Sequence, residues 1–197
     1  MDLFFTLLAT VLRSYTSLRR ARVWTGTTYT FKPKPWDSDR NGQLFTSRIP
    51  SYIDISLIKF FIETRMSGVV RLHGWIPIVL SSVQVRSQPK IPPGPLSIHT
   101  CVVGWQDQYV EIWHTWHDQD GNEVLRSIYL TRVTHAKREK VTGADMLIAL
   151  GEDVVEKPLS DIAARQLSDY FRIKDANRQA ENVSADYAKS LKLKEQP

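Results

Sequence analysis

One cysteine, Cys101, is all that this 197-residue chain contains. That excludes an intramolecular disulfide framework and any zinc site built from cysteine pairs. It stands in an apolar run with Val102 and Val103, so it reads as a small core residue of a protein kept in a reducing, cytoplasmic compartment. Long hydrophobic runs are also missing. The N-terminal apolar stretch, LFFTLLATVL at residues 3–12, is broken by two threonines and is half the length of the about 20 residues a bilayer span needs. Asp2 precedes it and Arg13, Arg19, Arg20 and Arg22 follow, the reverse of the charge order of a secretory signal. There is no internal repeat, no GxSxG, no Walker-type glycine loop and no dinucleotide fingerprint. The net charge is only +5, with no basic stripe interleaved with aromatics, which argues against a nucleic-acid partner. Five histidines (His73, His99, His114, His117 and His135) all fall in strand-like segments and none has metal-pair spacing to the cysteine. His114 and His117, three apart on a strand, point to opposite faces. No metal site is expected.

What the sequence does have is ordinary globular composition, 42% apolar and 24% charged, enough for one domain with a real core. Residues 23–34, rich in threonine and aromatics, suit a strand. WDSDRNGQ, residues 36–43, is crowded with turn formers and reads as a loop. Between Ile49 and Met66 apolar residues recur at helical spacing on two faces, the mark of a buried helix. Pro50 is tolerable only in its first turn, and Ser67-Gly68 supplies the stop. Residues 69–75 and 76–87 read as strands of period two, with Pro77 marking an edge or a bulge. Residues 96–105, 109–117 and 122–135 read as three more, the last two joined by the DQDG turn at 118–121. After Gly151 helical periodicity returns through Leu159, Ile162, Ala163, Gln166, Leu167, Tyr170 and Phe171; beyond Lys174 the tail is polar. The trace divides into an amphipathic helix (1–22), an α+β domain (23–151) and a helical tail (152–197). One helix wrapped by one antiparallel sheet leaves an open face or a free edge, which a second copy would cover.

The N-terminal helix admits two readings. Either it packs on its own domain, or its apolar stripe and the arginines hold it peripherally at an anionic membrane surface.

Candidate chemistry concentrates in the loop at 36–43. Asp37 and Asp39 flank a tight turn (Arg40-Asn41-Gly42) that leads straight into the buried helix. The first helical turn leaves backbone N–H groups unpaired, and these, with the positive end of the helix dipole, stabilise an oxyanion. A carboxylate beside such donors makes a hydrolytic constellation. The plainer alternative is that both aspartates only cap the turn and the helix.

The segment WDSDRNGQLFTSRIPSYID, residues 36–54, resembles the start of hotdog-fold acyl-CoA thioesterases, the 4-hydroxybenzoyl-CoA thioesterase and thioesterase-like superfamily. Asp37, Asp39, Gly42, Arg48 and Asp54 fall at that pattern's spacings. Residues 83–86, the Pro92-Pro93-Gly94 run and Val102-Val103-Gly104-Trp105 extend the likeness over about residues 23–151. The resemblance implies a hotdog fold, one long helix wrapped by a five- to six-stranded antiparallel sheet. It further implies hydrolysis of an acyl-CoA or acyl-carrier-protein thioester by a homodimer or dimer of dimers, with no cofactor beyond coenzyme A as part of the substrate. Asp39 matches the catalytic aspartate, and Thr46 the position whose backbone N–H polarises the thioester carbonyl. Asn41, Gly42, Gln43 and Arg48 then shape the substrate site, and Arg86 and Lys90 are candidates to meet the coenzyme A phosphates by charge. The family's histidine is replaced by Gln43, which orients a water or a carbonyl but exchanges no proton near neutral pH. That departure keeps a non-catalytic acyl-thioester binder as the alternative. A dehydratase would need a histidine at the helix start, and none is there.

Overall fold

A computed structural model describes residues 2–16, 20–88, 90–135 and 140–194. Its centre is helix α2 (Ile49–Glu63), which buries Ile49, Tyr52, Ile53, Ile55, Ser56 and Phe60. Pro50 sits within its first turn, where the missing N–H costs nothing. Five antiparallel strands wrap around it: β1 (Thr27–Phe31), β2 (Trp75–Arg86), β3 (Leu96–Gln106), β4 (Tyr109–His117) and β5 (Glu123–His135), in the spatial order β1-β3-β4-β5-β2. This is the hotdog arrangement that the resemblance implied, with five strands. The inner face alternates as a half-buried sheet should: Leu96, Ile98, Thr100 and Val102 of β3, and Val110, Ile112, His114 and Trp116 of β4, are all buried.

Strand β2 forms one edge of the sheet, and its exposed residues include Ile76, Val79, Val83 and Val85. Pro77 is accommodated because this is an edge, and the register shifts between Val79 and Ser81, just beyond it.

Several expectations are corrected. The buried helix stops earlier than Ser67-Gly68. Thr64 turns its hydroxyl back to donate to the Phe60 carbonyl, 2.7 Å away, and Arg65 adopts a left-handed conformation (φ 62°), which ends α2. Gly68 then lies inside a second helix, α3 (Met66–His73), where the sequence suggested strand. Gly74, at φ 64°, is its terminator, and His73 is therefore helical. A further helix, α4 (Gly143–Leu150), starts on a capping box in which Thr142 and Asp145 satisfy each other's backbone N–H. The first strand occupies only Thr27–Phe31 of the expected 23–34. Cys101 is half-buried on the outer face of the sheet, not in the core.

The flanking helices cover opposite sides. Helix α5 (Asp161–Lys194) continues past Lys174 to Lys194, and Leu159, Ala163 and Leu167 pack on Tyr109 and Leu130. Its N-terminus is tied to the sheet by the buried Glu111, whose carboxylate accepts from the Ser160 N–H (2.8 Å) and hydroxyl (2.6 Å). Helix α1 (Asp2–Thr16) packs against α2. Leu7 contacts the core cluster, Thr10 and Ser14 are buried, and Thr10 hydrogen-bonds the Tyr29 phenol. Leu8, Leu12 and Tyr15 remain exposed. The arginines are partly spent within the fold: Arg20 donates to the Leu150 carbonyl at the end of α4, and Arg22 pairs with Glu152. Arg19 lies outside the described residues.

A polar chain crosses the core from helix to sheet. Ser56 of α2 bonds Thr100 of β3 (2.7 Å), which bonds Nδ1 of His114 on β4 (2.9 Å). His114 is fully buried, and desolvation pushes its imidazole down to about 3.

Two outcomes are expected. Deleting Asp2–Thr16 uncovers Tyr29 and one side of α2. A loss of about 2 kcal/mol corresponds to roughly 4–8 °C in a chain of this size, so a melting temperature unchanged by the deletion would show that α1 is not a structural piece. The His114 imidazole is neutral in the fold to about pH 3, whereas its ordinary value is 6.5. Below pH 6.5 the unfolded chain therefore takes up the proton first. Stability is full above 6.5 and declines as the pH falls toward 3, by about 2 kcal/mol between pH 6.5 and 5. In urea titrations His114→Asn should lose that part of the pH dependence; an identical slope in the variant would refute it.

Candidate active site

The loop before α2 is built on a buried carboxylate. Asp37, in a 3-10 turn (Pro35–Asp37), is only 2% exposed. It accepts from the Tyr52 hydroxyl at 2.7 Å and faces the Arg48 Nε at 3.0 Å. Removing such a group from water is tolerated only when it is paired and hydrogen-bonded. Tyr52 is itself fixed by aromatic packing, stacked on Phe31 (centroids 4.0 Å apart) and edge-on to Trp116. Burial, then the Asp37 carboxylate, raise the Tyr52 phenol well above 10, so it stays a donor throughout the ordinary pH range. The Asp37 carbonyl accepts from Phe45 N–H (2.9 Å), closing the loop at its base.

Within that base Asp39 organises the turn. Its N–H donates to the Gln43 carbonyl (2.8 Å), its carbonyl accepts from Gly42 (3.0 Å), and its Oδ1 accepts from the N–H groups of Asn41 (2.8 Å) and Gln43 (2.9 Å). Gly42 is required here: its φ is +75°, and a Cβ would meet Pro93 at 3.0 Å. Oδ1 is thus held by two N–H groups, and Oδ2 accepts no hydrogen bond among the described residues.

Thr46 opens a second 3-10 turn (Thr46–Arg48) that leads into α2. Its N–H, one of the donors a helix start leaves over, finds no hydrogen-bond partner among the described residues. Arg86, at the end of β2, donates to the Thr46 hydroxyl at 3.0 Å. Lys90 is exposed, and the loop it begins packs back on the turn through the buried Ile91 and through Pro93 against Gly42.

The structure therefore gathers Asp39, Asn41, Gly42, Gln43, Thr46 and Arg86 at one end of α2, with the Lys90 loop alongside. Arg48 is turned inward onto Asp37 instead of outward. Asp54, on α2, was noted only for its spacing. It is exposed, yet neighbouring atoms strip enough water to raise its carboxyl. It also lies near enough to Tyr129 of β5 to add to the rise that burial causes in that phenol.

No family model matches the chain, and no curated protein matches it. Solved structures do. A probable thioesterase of Escherichia coli, YbaW, superposes with a TM-score of 0.55 at 9% identity over 62% of this chain and 95% of that one. The 4-hydroxybenzoyl-CoA thioesterase of a Pseudomonas strain gives 0.51 at 17% identity, over 66% and 99%. A 1,4-dihydroxy-2-naphthoyl-CoA thioesterase of Synechocystis gives 0.50 at 8%, over 62% and 93%. At these identities the likeness is one of fold, and it corroborates the hotdog architecture.

The anchoring role of Asp37 has a direct check. Asp37→Ala leaves the Tyr52 hydroxyl and the half-exposed Arg48 without their acceptor, and should cost about 2 kcal/mol in urea denaturation. A variant as stable as the parent would remove Asp37 as the foundation of the loop.

Proposed function

We propose that this protein hydrolyses an acyl thioester, of coenzyme A or of an acyl carrier protein, to the free acid and the thiol. The observation that carries the reading is the pairing at one helix start of an oriented carboxylate, Asp39, with an unspent backbone donor, Thr46 N–H. In the reaction the thioester carbonyl oxygen takes the Thr46 N–H, where the dipole of α2 favours negative charge. In one route Asp39 Oδ2 takes a proton from water as the water adds to the carbonyl carbon, and the proton passes to the thiolate as the C–S bond breaks. In the other Oδ2 adds directly, the thiolate leaves and takes a proton from water, and water then cleaves the resulting mixed anhydride to free acid and Asp39. Arg86 and Lys90, on the rim, meet the phosphates of coenzyme A; Gln43 and Asn41 line the turn over which the thioester passes.

Two copies are part of this reading. The β2 edge, with its exposed Ile76, Val79, Val83 and Val85, is a strand surface suited to pairing with a second copy of itself. Any pairing of such dimers would have to avoid the part of the outer sheet face that α5 occupies. The outward stripe of α1 (Leu8, Leu12 and Tyr15) supports peripheral contact with a membrane surface. No helix among the described residues is long and apolar enough to cross one.

A specific observation favours the alternative, a non-catalytic binder of acyl thioesters. The β4–β5 turn at Asp118 repeats the bonding of the Asp39 turn: Oδ1 accepts from Asp120 and Asn122, the Asp118 N–H donates to the Asn122 carbonyl, and Gly121 donates back to the Asp118 carbonyl. An aspartate so placed can be purely structural.

Asp39→Asn separates the readings, because asparagine keeps an Oδ1 acceptor for the turn while removing the charge. With pure protein and a panel of acyl-CoAs, the substitution should lower kcat by about two orders of magnitude or more at unchanged melting temperature. Equal turnover by both proteins would remove Asp39 from the mechanism; no turnover by either would leave the binder.

A further inference from the structure

Beneath the site, a second feature of α2 bears on what the acyl group is. Leu57 and Phe61, on the same side of the helix as Asp54, line a cavity of about 90 Å³. Its walls come from Pro77, Ile78 and Val79 at the β2 edge and from Val110, Ile112, Thr131 and Val133 of β4 and β5; its floor is Met66 and Met146 of α3 and α4. The one hydroxyl in the lining, that of Thr131, is already committed, donating to the Val110 carbonyl at 2.9 Å. Nothing in the wall is left to hydrogen-bond a guest.

Strand β2 runs back alongside α2, so that its end, Arg86, bonds Thr46 while its beginning, Pro77 to Val79, lines the same cavity as Leu57 and Phe61. The reacting end and the cavity thus lie toward opposite ends of both α2 and β2. From Ile49 to Lys59, midway between the two lining residues of the helix, the axis rises about 15 Å, the extended length of a chain of roughly a dozen carbons.

We infer that the acyl group is an unbranched aliphatic chain of medium to long length, its methyl end seated in the cavity between α2, β4, β5 and α4. This rests on the hydrolytic reading for the position of the carbonyl. A short acyl group anchored at Thr46 does not reach the cavity. A hydroxylated aromatic ring suits it less well on two counts. An engineered apolar cavity that binds benzene measures about 150 Å³, larger than this one, and a ring hydroxyl seated there would find no partner in the lining. The two methionines of the floor are flexible and adapt to the end of a chain better than to a rigid ring.

The test is a comparison of kcat/KM for butanoyl-, octanoyl-, dodecanoyl- and 4-hydroxybenzoyl-CoA in the parent protein and in two cavity-filling variants, Val110→Phe and Val133→Leu. The parent should prefer dodecanoyl over both butanoyl and 4-hydroxybenzoyl by about tenfold or more, since each methylene in an apolar pocket counts. Val110→Phe should reduce the dodecanoyl-to-butanoyl ratio by about tenfold, and Val133→Leu, a milder filling that a folded core tolerates, by less. Preference for the aromatic substrate, or a chain-length profile that neither variant shifts, overturns the inference. Should the parent hydrolyse none of the four, the hydrolytic reading fails on its own and binding decides. Displacement of a fluorescent fatty acid by dodecanoyl-CoA, weakened by both variants, sustains the cavity assignment, and no displacement overturns it.

Discussion

The Asp37 carboxylate, buried between the Tyr52 hydroxyl and the Arg48 guanidinium, is the contact on which the site depends. It joins the loop to the first turns of α2, and Tyr52 carries the connection on through Phe31 and Trp116 to the sheet. A charge in that position is stable only because its partners are held, and the partners are held because the aromatic cluster around them is packed. Everything exposed in the loop, including the Asp39 turn and the free N–H of Thr46, inherits its position from this buried base. Of two aspartates separated by one residue, one therefore builds and the other faces solvent.

The two equivalent turns, at Asp39 and at Asp118, show why local geometry does not confer a function. Both hold an aspartate Oδ1 under two backbone N–H groups and both end in a glycine of positive φ. The Asp118 turn joins two strands and leads nowhere else. The Asp39 turn opens onto the start of a helix, beside an unpaired donor and an arginine delivered by the far end of β2. The proposed chemistry rests on that convergence, and the same helix runs on to the apolar cavity at Leu57 and Phe61. Ser56, Thr100 and His114 hold the opposite side of α2 to the sheet by a chain of buried hydrogen bonds. The helix is thereby fixed in rotation, with its stripe of Asp54, Leu57 and Phe61 turned away from those bonds.

Much of this was readable in the sequence. Helical spacing from Ile49 onward, Pro50 at a place only a first turn accepts, period-two strands over 96–135 and the glycine-bearing turns are local properties, and local physics determines them. Pro77 marked an edge or a bulge, and it stands on an edge strand just before a register shift. Residues 69–73 continue a period-two pattern that suggests strand, although Gly74 after Arg71 and His73 is a helix-terminating signature. Thr142 to Asp145 before an apolar run was likewise a visible start for α4. The break at Thr64 and Arg65 was not visible, because it depends on a hydroxyl folding back on the helix and on a backbone conformation that arginine seldom adopts.

The sequence by itself determined which segments form helices, strands and turns in most of the chain, and it marked the loop at 36–43 as the place where carboxylates precede a buried helix. These follow from propensity, periodicity and capping, which act over a few residues. Only the tertiary structure decided that Asp37 is buried and Asp39 is not, that Arg48 turns inward while Arg86 arrives from 40 residues away, that α1 lies on α2, and that Arg20 and Arg22, beyond α1, are already engaged. It also placed an apolar cavity at the far end of the same helix. Burial, ion pairing and cavities arise where distant segments meet, and their energies depend on the distances and water exclusion that the packed fold alone sets.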